Sequence, residues 1–524
     1  MVELSNTPTD AQVMEPGHGE GAFIDALVSA GYRNIAACDI DPYNHKVVID
    51  RYGKVADIQL VNYLATSRTE QFDMIIGNPP YVQWNNIDPG IRHSLQTDVF
   101  WSNYTNGEWD LLYAFIMWSV EKLVPGGELI FVVPFNWFHA TYAAGLRRYL
   151  TERGNFTDIV HFAEHKLFDD CAPNTIIFKY VKQRHSQNRP RVRVAEFDGR
   201  HGNTAELVTQ ASDGLKALRS GADEIADGEW RFFTTAQPPA DGLWYLASRT
   251  QEQSITRVEA SVGEITIADR CQVAVGVVSG YDQAFALTSD HVSTLPSHER
   301  ALIAPLIKAR NCARYNVSGH IPFIFTETIE NETQLCNNYP TIYRHLLRHR
   351  SKLEARYTQN RQWWQWATIR NLDIFCENSD NWKIFVPSID RSPMARFSAT
   401  RENVLGSGDV ICVTAGPSLN ESMLYVLAWL NSQAVHAWYR IKGARTGHRT
   451  RYTHHYISQI PYRTIDFTNE REHHLHDRIV ERTETLTDEN RTDVCAALEQ
   501  ANAFDFRELL NGTPPQNAAC HHRK

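Results

Sequence analysis

The chain has 524 residues with a formal net charge of −9, and 43% of them are hydrophobic, which excludes a disordered chain and a single core. No apolar run reaches the roughly 20 residues needed to span a bilayer, the N-terminus has no signal-peptide pattern, and nine scattered cysteines form no CxxC pair. We therefore expect two or three globular domains in the reducing cytoplasm, with no membrane contact, no zinc ribbon and no disulfide framework.

Strand and helix patterns alternate along the first third of the chain. Strands are predicted at QVMEP, NIAACDID, FDMIIG, GGELIFVVP, TDIVHF and NTIIFKYV, and helices at AFIDALVSAG and LLYAFIMWSVEKLV. This alternation predicts an α/β fold with a doubly wound, mostly parallel sheet. Ligands of such sheets bind at the carboxyl ends of the strands.

The composition and the hydrophobic pattern of the sequence change at the polar, basic stretch RHSQNRPRVRV. We predict a catalytic domain at residues 1–185, a connector at 186–254, a mixed α+β domain at 255–465, and a helical or flexible tail at 466–524. Within the mixed domain, the aromatic run RQWWQW favours core packing over contact with bases. Residues 422–465 contain no acidic side chain but six Lys and Arg residues, which predicts a basic face.

Three glycines lie between the first predicted strand and helix, in EPGHGEGAF. Glycines there let the backbone approach a ligand, and a helix N-terminus offers N–H donors. The spacing is neither G-x-G-x-x-G nor a P-loop, so a purely structural turn is the alternative. Asp39, at the end of the second strand, stands where an acid can accept hydrogen bonds from a ribose, whereas Asp41 is expected to cap a helix. Together these signals favour a nucleoside-containing cofactor.

The third strand pattern runs directly into Asn78, Pro79, Pro80 and Tyr81. An exocyclic amine is methylated more readily when two acceptors hold its N–H groups, and the Asn78 side-chain oxygen and the Pro79 carbonyl can do this. The prolines keep both acceptors in place, and Tyr81 can stack on a base. A rigid turn is the alternative, but its position after a buried strand favours methyl transfer to a planar amine.

In this order of motifs the sequence resembles the gamma-class N6-adenine DNA methyltransferases, the TaqI-like enzymes of restriction-modification systems. DLLYAF, PGGELIFVVPFNW and KLFDDCAPNTIIF resemble later motifs of that family. Segments from VAVGVVSGYDQAFAL to RTRYTHHYISQIPY resemble its specificity domain. The resemblance implies a Rossmann-like S-adenosylmethionine-dependent methyltransferase sheet followed by a C-terminal mixed α+β target-recognition domain.

The resemblance also implies roles for individual residues. Catalysis would use Asn78, Pro79, Pro80 and Tyr81, and the target base would be stacked by Tyr81 and Phe168. The cofactor S-adenosyl-L-methionine would be bound by Glu15, Pro16, Gly17, Gly19, Gly21, Phe23, Asp39, Ile40, Asn62, Tyr63, Asn78 and Phe115. DNA would be bound by Arg440, Lys442, Arg445, Arg449 and Arg451, on a loop indicated by Gly443 and Gly447.

The sequence departs from the family pattern at three places. NTPTDAQV resembles a shortened form of the segment that precedes the Gly-rich turn in the family. Asn62 stands where Asp is common, and its amide can accept the same hydrogen bond without the charge. Glu15 also stands where Asp is common, and His18 and Glu20 are unusual inside the turn. These departures predict weaker cofactor binding.

We therefore expect a site-specific DNA adenine-N6 methyltransferase that acts on a flipped-out adenine in double-stranded DNA, without a metal. The family resemblance implies a monomer and a separately encoded restriction endonuclease as partner. One alternative is an N-terminally truncated DNA-binding specificity protein with weak or no transferase activity. Another is an NPPY methyltransferase acting on RNA or on protein glutamine, since those substrates also present a planar amine. The long C-terminal region favours DNA.

Overall fold

The computed structural model describes residues 1–104, 109–163, 165–167, 174–183, 189–199, 204–219, 223–239, 242–356, 360–377, 381–446, 449–488 and 492–511. The chain divides into two compact units. Unit 1 is Met1–Glu252 with the short segment Thr446–His448, and unit 2 is Gln253–Arg445 with Arg449–Lys524.

Unit 1 is built on a ten-stranded sheet. Its strands in chain order are β1 (Gln12–Pro16), β2 (Asn34–Asp39), β3 (Ala56–Leu60), β4 (Phe72–Gly77), β5 (Leu123–Pro134), β6 (Gly154–His161), β7 (Thr175–Lys182), β8 (Val192–Phe197), β9 (Glu224–Asp227) and β10 (Trp230–Thr235). They lie side by side in the order β3-β2-β1-β4-β5-β7-β6-β8-β10-β9.

The half of this sheet from β3 to β5 is parallel, whereas β7 runs antiparallel to both of its neighbours. The predicted α/β alternation is therefore confirmed. The strand order changes direction between β1 and β4, and a crevice opens at the carboxyl ends of the strands at such a point. The Gly-rich turn follows β1 and Asn78 follows β4, so both of these motifs lie at the crevice.

Four helices of unit 1 begin after an aspartate whose side chain accepts a hydrogen bond from a backbone N–H group. Asp41 accepts a hydrogen bond from the Tyr43 N–H at 2.8 Å and is followed by proline, as predicted. Asp110 accepts one from the Leu112 N–H at 2.9 Å. The helices are α1 (Ala22–Ser29), α2 (Pro42–Tyr52), α3 (Pro89–Thr97), α4 (Val99–Ser102), α5 (Leu111–Lys122), α6 (Ala144–Arg153) and α7 (Thr204–Arg219).

The pleat of β5 divides the core of unit 1 between the two faces of the sheet. Phe131 and Val133 belong to the hydrophobic cluster that surrounds α5. Ile130 and Val132 belong to the cluster that contains Leu207 and other residues of α7. Successive strand side chains point to opposite faces, so both faces of the sheet are covered.

The described residues between 189 and 252 form part of the fold of unit 1, which corrects the prediction of a connector at 186–254. They contribute β8, β9 and β10 to the main sheet and α7 to one face of it. Trp244 stacks on Phe138 with ring centroids 4.3 Å apart. The polar residues at the start of this segment obscured β10, in which Trp230 and Phe232 pack on one face of the sheet and Phe233 on the other.

Unit 2 contains three smaller sheets, ordered β11-β19-β15-β17-β13, β14-β12-β18 and β16-β21-β20. Their strands are β11 (Cys271–Val275), β12 (Ile303–Ile307), β13 (Tyr315–Asn316), β14 (Ile321–Ile324), β15 (Lys383–Pro387), β16 (Ile389–Asp390), β17 (Ser398–Thr400), β18 (Leu405–Gly406), β19 (Val410–Ala415), β20 (Ala444–Thr446) and β21 (Arg449–Arg451).

The helices from residue 249 onward are α8 (Arg249–Val262), which begins in unit 1, and α9 (Ile267–Arg270), α10 (Asp282–Phe285), α11 (Ser289–Thr294), α12 (Glu332–Asn338), α13 (Pro340–Leu347), α14 (Arg350–Glu354), α15 (Leu372–Glu377), α16 (Met423–Leu430), α17 (Gln433–Lys442), α18 (His454–Ser458), α19 (Glu470–Asp488) and α20 (Thr492–Asn511).

Two predictions about unit 2 can be compared with its packing. Trp363, Trp364 and Trp366 of RQWWQW are all buried, which confirms that the run packs in the core. The region predicted as a helical or flexible tail forms α19 and α20, and Ile479 and Leu509 lie in the same hydrophobic cluster as α16. Up to residue 511 this region is therefore a packed part of unit 2.

Candidate active site

The Gly-rich turn after β1 is tied to the end of β2 by backbone hydrogen bonds. The N–H groups of Gly17 and His18 donate to the carbonyl of Cys38 at 2.8 and 3.1 Å. The Gly19 N–H donates to Oδ2 of Asp39 at 2.9 Å. The turn and the acid that the sequence singled out separately are therefore parts of one structure.

Two features explain the glycines of this turn. Gly17, Gly19 and Gly21 have φ angles of 73°, 51° and 86°, in a region that disfavours other residues. A Cβ atom at Gly21 would also stand 3.2 Å from side-chain atoms of Tyr52 and Val48 on α2. The turn thus needs glycine for its backbone conformation and, at Gly21, for close helix packing.

A first cavity of about 290 Å³ opens at the carboxyl ends of β1, β2 and β4. Asp39 lies in its wall, where Phe115 stacks with Tyr63 at a centroid distance of 5.4 Å. Of the residues predicted to bind a cofactor, those that line this cavity are Gly17, Gly19, Asp39, Ile40, Asn62, Tyr63, Asn78 and Phe115. The cavity therefore combines an acid with flat aromatic and aliphatic surfaces.

The polar side chains of the first cavity are held in place by local hydrogen bonds. The second carboxylate oxygen of Asp39 accepts from the Asp41 N–H at 2.9 Å. Asn62 precedes a short 3₁₀ turn, and its side-chain oxygen accepts from the Leu64 N–H at 3.1 Å. A carboxylate has about four lone-pair positions and an amide oxygen two, so both side chains retain acceptor capacity for a ligand.

Asn78 lies at the border between the first cavity and a second one. Its side-chain oxygen is hydrogen-bonded to the hydroxyl of Tyr81, which is also 2.7 Å from the carbonyl oxygen of Val132. Pro80 lines the first cavity. In this state of the protein, Tyr81 therefore occupies one acceptor position of Asn78.

The second cavity, of about 860 Å³, lies between the Gly-rich turn, α1 and α7. Glu15 is 1% exposed and His18 is 3% exposed, and both line it. Oε2 of Glu15 and Nε2 of His18 are buried without a hydrogen-bond partner among the described residues. Burial raises the pKa of Glu15 well above its usual range; the Ile24 N–H opposes this shift, and the charge of Asp39 adds to it.

The remaining predicted residues of unit 1 lie near these two cavities. Phe23 lines the second cavity. Pro16, Gly21 and Pro79 belong to the same strand end and turns but line neither cavity. Phe168 lies outside the residues that the structure describes.

Several residues of the second cavity carried little signal in the sequence. His18 was notable only as an unusual residue of the turn, and its burial follows from the fold. Val132 and Ile177 read as ordinary strand residues, and Val208 lies on α7, in the segment predicted as a connector. Only the packing of α7 on the sheet makes these side chains a cavity wall.

The basic residues of unit 2 lie on α17 and on the strands that follow it, rather than on a loop. Arg445 belongs to β20, and Arg449 and Arg451 belong to β21, which pairs with β16. Arg440 and Arg451 are exposed and Arg449 is half-buried, while the side chain of Arg445 lies outside the described part of the structure. Strand pairing fixes the backbone of these residues, which a loop would not.

Lys442 and Arg463 of this region each pair with a glutamate. Nζ of Lys442 is 2.5 Å from a carboxylate oxygen of Glu259. Arg463, which contributed to the predicted basic face, is fully buried and 2.8 Å from a carboxylate oxygen of Glu472. Arg463 is therefore not part of a surface, and the basic face is smaller than the sequence predicted.

Comparison with known proteins relates the chain to restriction-modification methyltransferases. Residues 33–168 match the family described as Eco57I restriction-modification methylase. The chain is 29% identical over 487 residues to the type II methyltransferase M.HindII of Haemophilus influenzae, covering 91% of this chain and 90% of that protein. It is 27% identical over 486 residues to the type II methyltransferase M.HincII of Haemophilus influenzae, covering 91% and 89%.

A solved structure shows the same fold. The type IIL restriction-modification enzyme MmeI in complex with DNA matches with a TM-score of 0.59 at 12% identity, covering 95% of this chain and 69% of that chain. The chain is thus related to the methyltransferases of type II restriction-modification systems. S-adenosyl-L-methionine is its expected cofactor, and the orphaned Glu15 oxygen and the acceptors of the first cavity fit that molecule.

The described residues contain neither a membrane-spanning helix nor a metal-binding cluster. No helix among them is long and apolar enough to cross a membrane. No group of three or more His, Cys, Asp or Glu side chains in the described ranges is arranged to hold a metal ion.

Proposed function

We propose that the chain is a site-specific DNA methyltransferase that transfers a methyl group to N6 of an adenine flipped out of double-stranded DNA. The observation that carries this proposal is the position of Asn78, at the border of two cavities at the carboxyl edge of the sheet. One cavity suits a nucleoside, and the other is large enough for a second flat molecule.

The first cavity is proposed to hold the adenosine part of the cofactor. Asp39 would accept hydrogen bonds from the ribose hydroxyls, while Ile40 and Phe115 would contact the faces of the cofactor's adenine. Asn62 would accept a hydrogen bond from its amine. Bound in this way, S-adenosyl-L-methionine supplies an electrophilic methyl group near Asn78.

Asn78 and Pro79 are proposed to hold the target amine. Their two oxygens would accept its N–H groups, which turns the lone pair of the nitrogen toward the methyl group and withdraws it from the ring. The amine would exchange with the Tyr81 hydroxyl that now contacts Asn78. The Tyr81 ring, once released, would stack on the target base, offsetting part of the few kcal/mol that unstacking costs.

Unit 2 is proposed to bind the DNA and choose its sequence. Arg440 and Arg451 are exposed basic residues on adjoining elements, and phosphate contacts require such residues. Lys442 contributes less because Glu259 already neutralises it. A restriction-modification role, with a separately encoded endonuclease and a monomeric enzyme, belongs to the same proposal and is supported by the relatives named above.

The test is transfer of labelled methyl from S-adenosyl-L-methionine to unmethylated double-stranded DNA, followed by nucleoside analysis. We expect the label in N6-methyladenine, and a loss of at least a hundredfold in Asn78→Ala, since transition-state hydrogen-bond acceptors or donors are worth about 10²–10³ in rate. Label in another base or in no base would refute the proposal.

The same assay separates the alternatives. RNA and a glutamine-containing peptide are offered in parallel, and transfer to either in preference to DNA would favour an NPPY enzyme of another class. Sequence-specific DNA binding without cofactor binding or transfer would favour a DNA-binding specificity protein. The intact acceptor site at Asn78 favours the transferase over this second candidate.

A further inference from the structure

Two residues that line the second cavity, Glu15 at the end of β1 and His18 in the Gly-rich turn, each carry a buried side-chain atom without a partner among the described residues. Oε2 of Glu15 and Nε2 of His18 are both buried, and neither has a hydrogen-bond partner among the described residues. A buried polar atom left without a partner costs about 1–3 kcal/mol, so a protein retains two of them together only with a reason.

The tautomer of His18 follows from its surroundings. Nδ1 lies 2.8 Å from the carbonyl oxygen of Gly19, which can only accept a hydrogen bond. In the neutral ring Nδ1 therefore carries the hydrogen, and Nε2 is an acceptor. The Gly19 contact also fixes the ring orientation, so the direction in which Nε2 points is set by the turn.

A ligand that satisfies both atoms donates at least two hydrogen bonds, and a positive charge on it stabilises the carboxylate form of Glu15, which burial alone disfavours. No third His, Cys, Asp or Glu within the described ranges joins them in a metal-binding group. An alkylammonium ion has three N–H donors and a positive charge. It meets both requirements.

The position of the two acceptors indicates which ammonium this is. If the nucleoside fills the first cavity and the methyl group stands at Asn78, the rest of the cofactor extends past the shared residues Gly17 and Gly19. That remaining part is an amino acid with an α-ammonium group. It enters the second cavity on the side where Glu15 and His18 lie.

We propose that His18 is a cofactor-binding residue that, together with Glu15, accepts hydrogen bonds from the α-ammonium group of S-adenosyl-L-methionine. The inference rests on the proposed function, because it assumes the cofactor in the first cavity. It gives the unusual histidine of the turn a role in recognising the amino-acid end of the cofactor, separate from the recognition of the nucleoside.

The experiment compares two ligands by calorimetry on the full-length protein. S-adenosyl-L-homocysteine carries the amino-acid end, and 5′-methylthioadenosine lacks it. For His18→Ala we expect the affinity for S-adenosyl-L-homocysteine to fall roughly tenfold or more, the scale of a hydrogen bond to a charged group. The affinity for 5′-methylthioadenosine should change less than about twofold, within the spread of a neutral substitution.

Two further variants make the comparison specific. His18→Gln keeps an acceptor and should retain most of the affinity for S-adenosyl-L-homocysteine. His45→Ala removes a second histidine ring, 6.5 Å from that of His18, which lines neither cavity. It should leave both affinities unchanged.

The other possible results would overturn either the role of His18 or the proposed function. Equal losses for both ligands in His18→Ala, or no loss for either, would overturn the role of His18, with 5′-methylthioadenosine binding as the check that the variant is folded. Native protein that binds both ligands equally well would overturn it too, while leaving the transferase intact. Native protein that binds neither ligand would overturn the proposed function and this inference with it.

Discussion

Replacing Glu15 with glutamine is expected to stabilise the unliganded protein and, at the same time, to weaken its binding of S-adenosyl-L-homocysteine. The substitution keeps the size of the side chain and removes its charge. Glu15 is 1% exposed, and one of its oxygens has no partner among the described residues, so its ionised form is poorly solvated in the folded protein. The bound ligand supplies the missing donor, and glutamine has no charge to pair with it.

The gain follows from removing a buried, incompletely solvated charge, which costs about 1–3 kcal/mol. For a unit of 150–250 residues, each kcal/mol shifts Tm by roughly 2–4 °C. We therefore expect unit 1 of Glu15→Gln to melt roughly 2–12 °C higher than the native protein near pH 7. The same substitution should lower the affinity for S-adenosyl-L-homocysteine at least tenfold, since the negative charge that pairs with the ammonium group of the ligand is lost.

The gain in Tm should depend on pH in a defined direction. Burial raises the pKa of Glu15 in the folded protein, whereas the unfolded chain keeps the usual value near 4.5. Between these two values the folded state binds more protons than the unfolded state, so the contribution of Glu15 to stability falls as pH rises. Below about pH 4.5 the residue is protonated in both states, and Glu15→Gln should then give little or no gain.

The assay is thermal unfolding followed by calorimetry at pH 4.5 and pH 7, with and without S-adenosyl-L-homocysteine. Glu20→Gln is the matched control, because Glu20 lies in the same turn but is exposed, and its Tm should change little at either pH. A lower Tm for Glu15→Gln at pH 7, or the same gain at both pH values, would refute the reasoning. Either result would mean that the carboxylate is well satisfied in the folded protein.

Three further predictions concern the catalytic turn, the Gly-rich turn and the basic residues. Tyr81→Phe keeps the ring and removes the hydroxyl that contacts Asn78, so it should retain methyl transfer. Tyr81→Ala should lose about 1–3 kcal/mol of base stacking, measured as a higher KM for DNA. Equal losses in both variants would argue against stacking. Gly21→Ala should destabilise unit 1 by more than about 1–2 kcal/mol, because its Cβ would meet Tyr52 and Val48 at a φ of +86°. Gly31→Ala, at a φ of +89° but in more open space, should cost less. The reverse order of stabilities in chemical denaturation would contradict the packing argument. Arg440→Ala and Arg451→Ala should each reduce the slope of log K against log salt concentration for DNA binding by about 0.9 if each arginine contacts one phosphate. Lys442→Ala should have a smaller effect, because Lys442 is paired with Glu259. An unchanged slope in either arginine variant would exclude that arginine from the DNA interface.

Local chemistry in the sequence determined where the strands end and which side chains lie there. The turn after β1, the acid after β2 and the NPPY turn after β4 were each recognisable alone, because glycine, aspartate and proline restrict the backbone within a few residues of themselves. The parallel sheet then brings its carboxyl ends to one edge. For this reason Gly19, Asp39 and Asn78 could be predicted to lie together before their contacts were known.

Only the tertiary structure decided which of these side chains face a cavity and which are buried without a partner. Packing of α7 on the main sheet, which β8–β10 extend, makes Val208 a wall of the second cavity, although its segment looked like a connector. Tertiary packing also buries His18 in unit 1 and, in unit 2, buries Arg463 and so removes it from the basic face. Burial is set by segments distant in sequence, and no local pattern records it, so the orphaned acceptors of Glu15 and His18 follow from the fold alone.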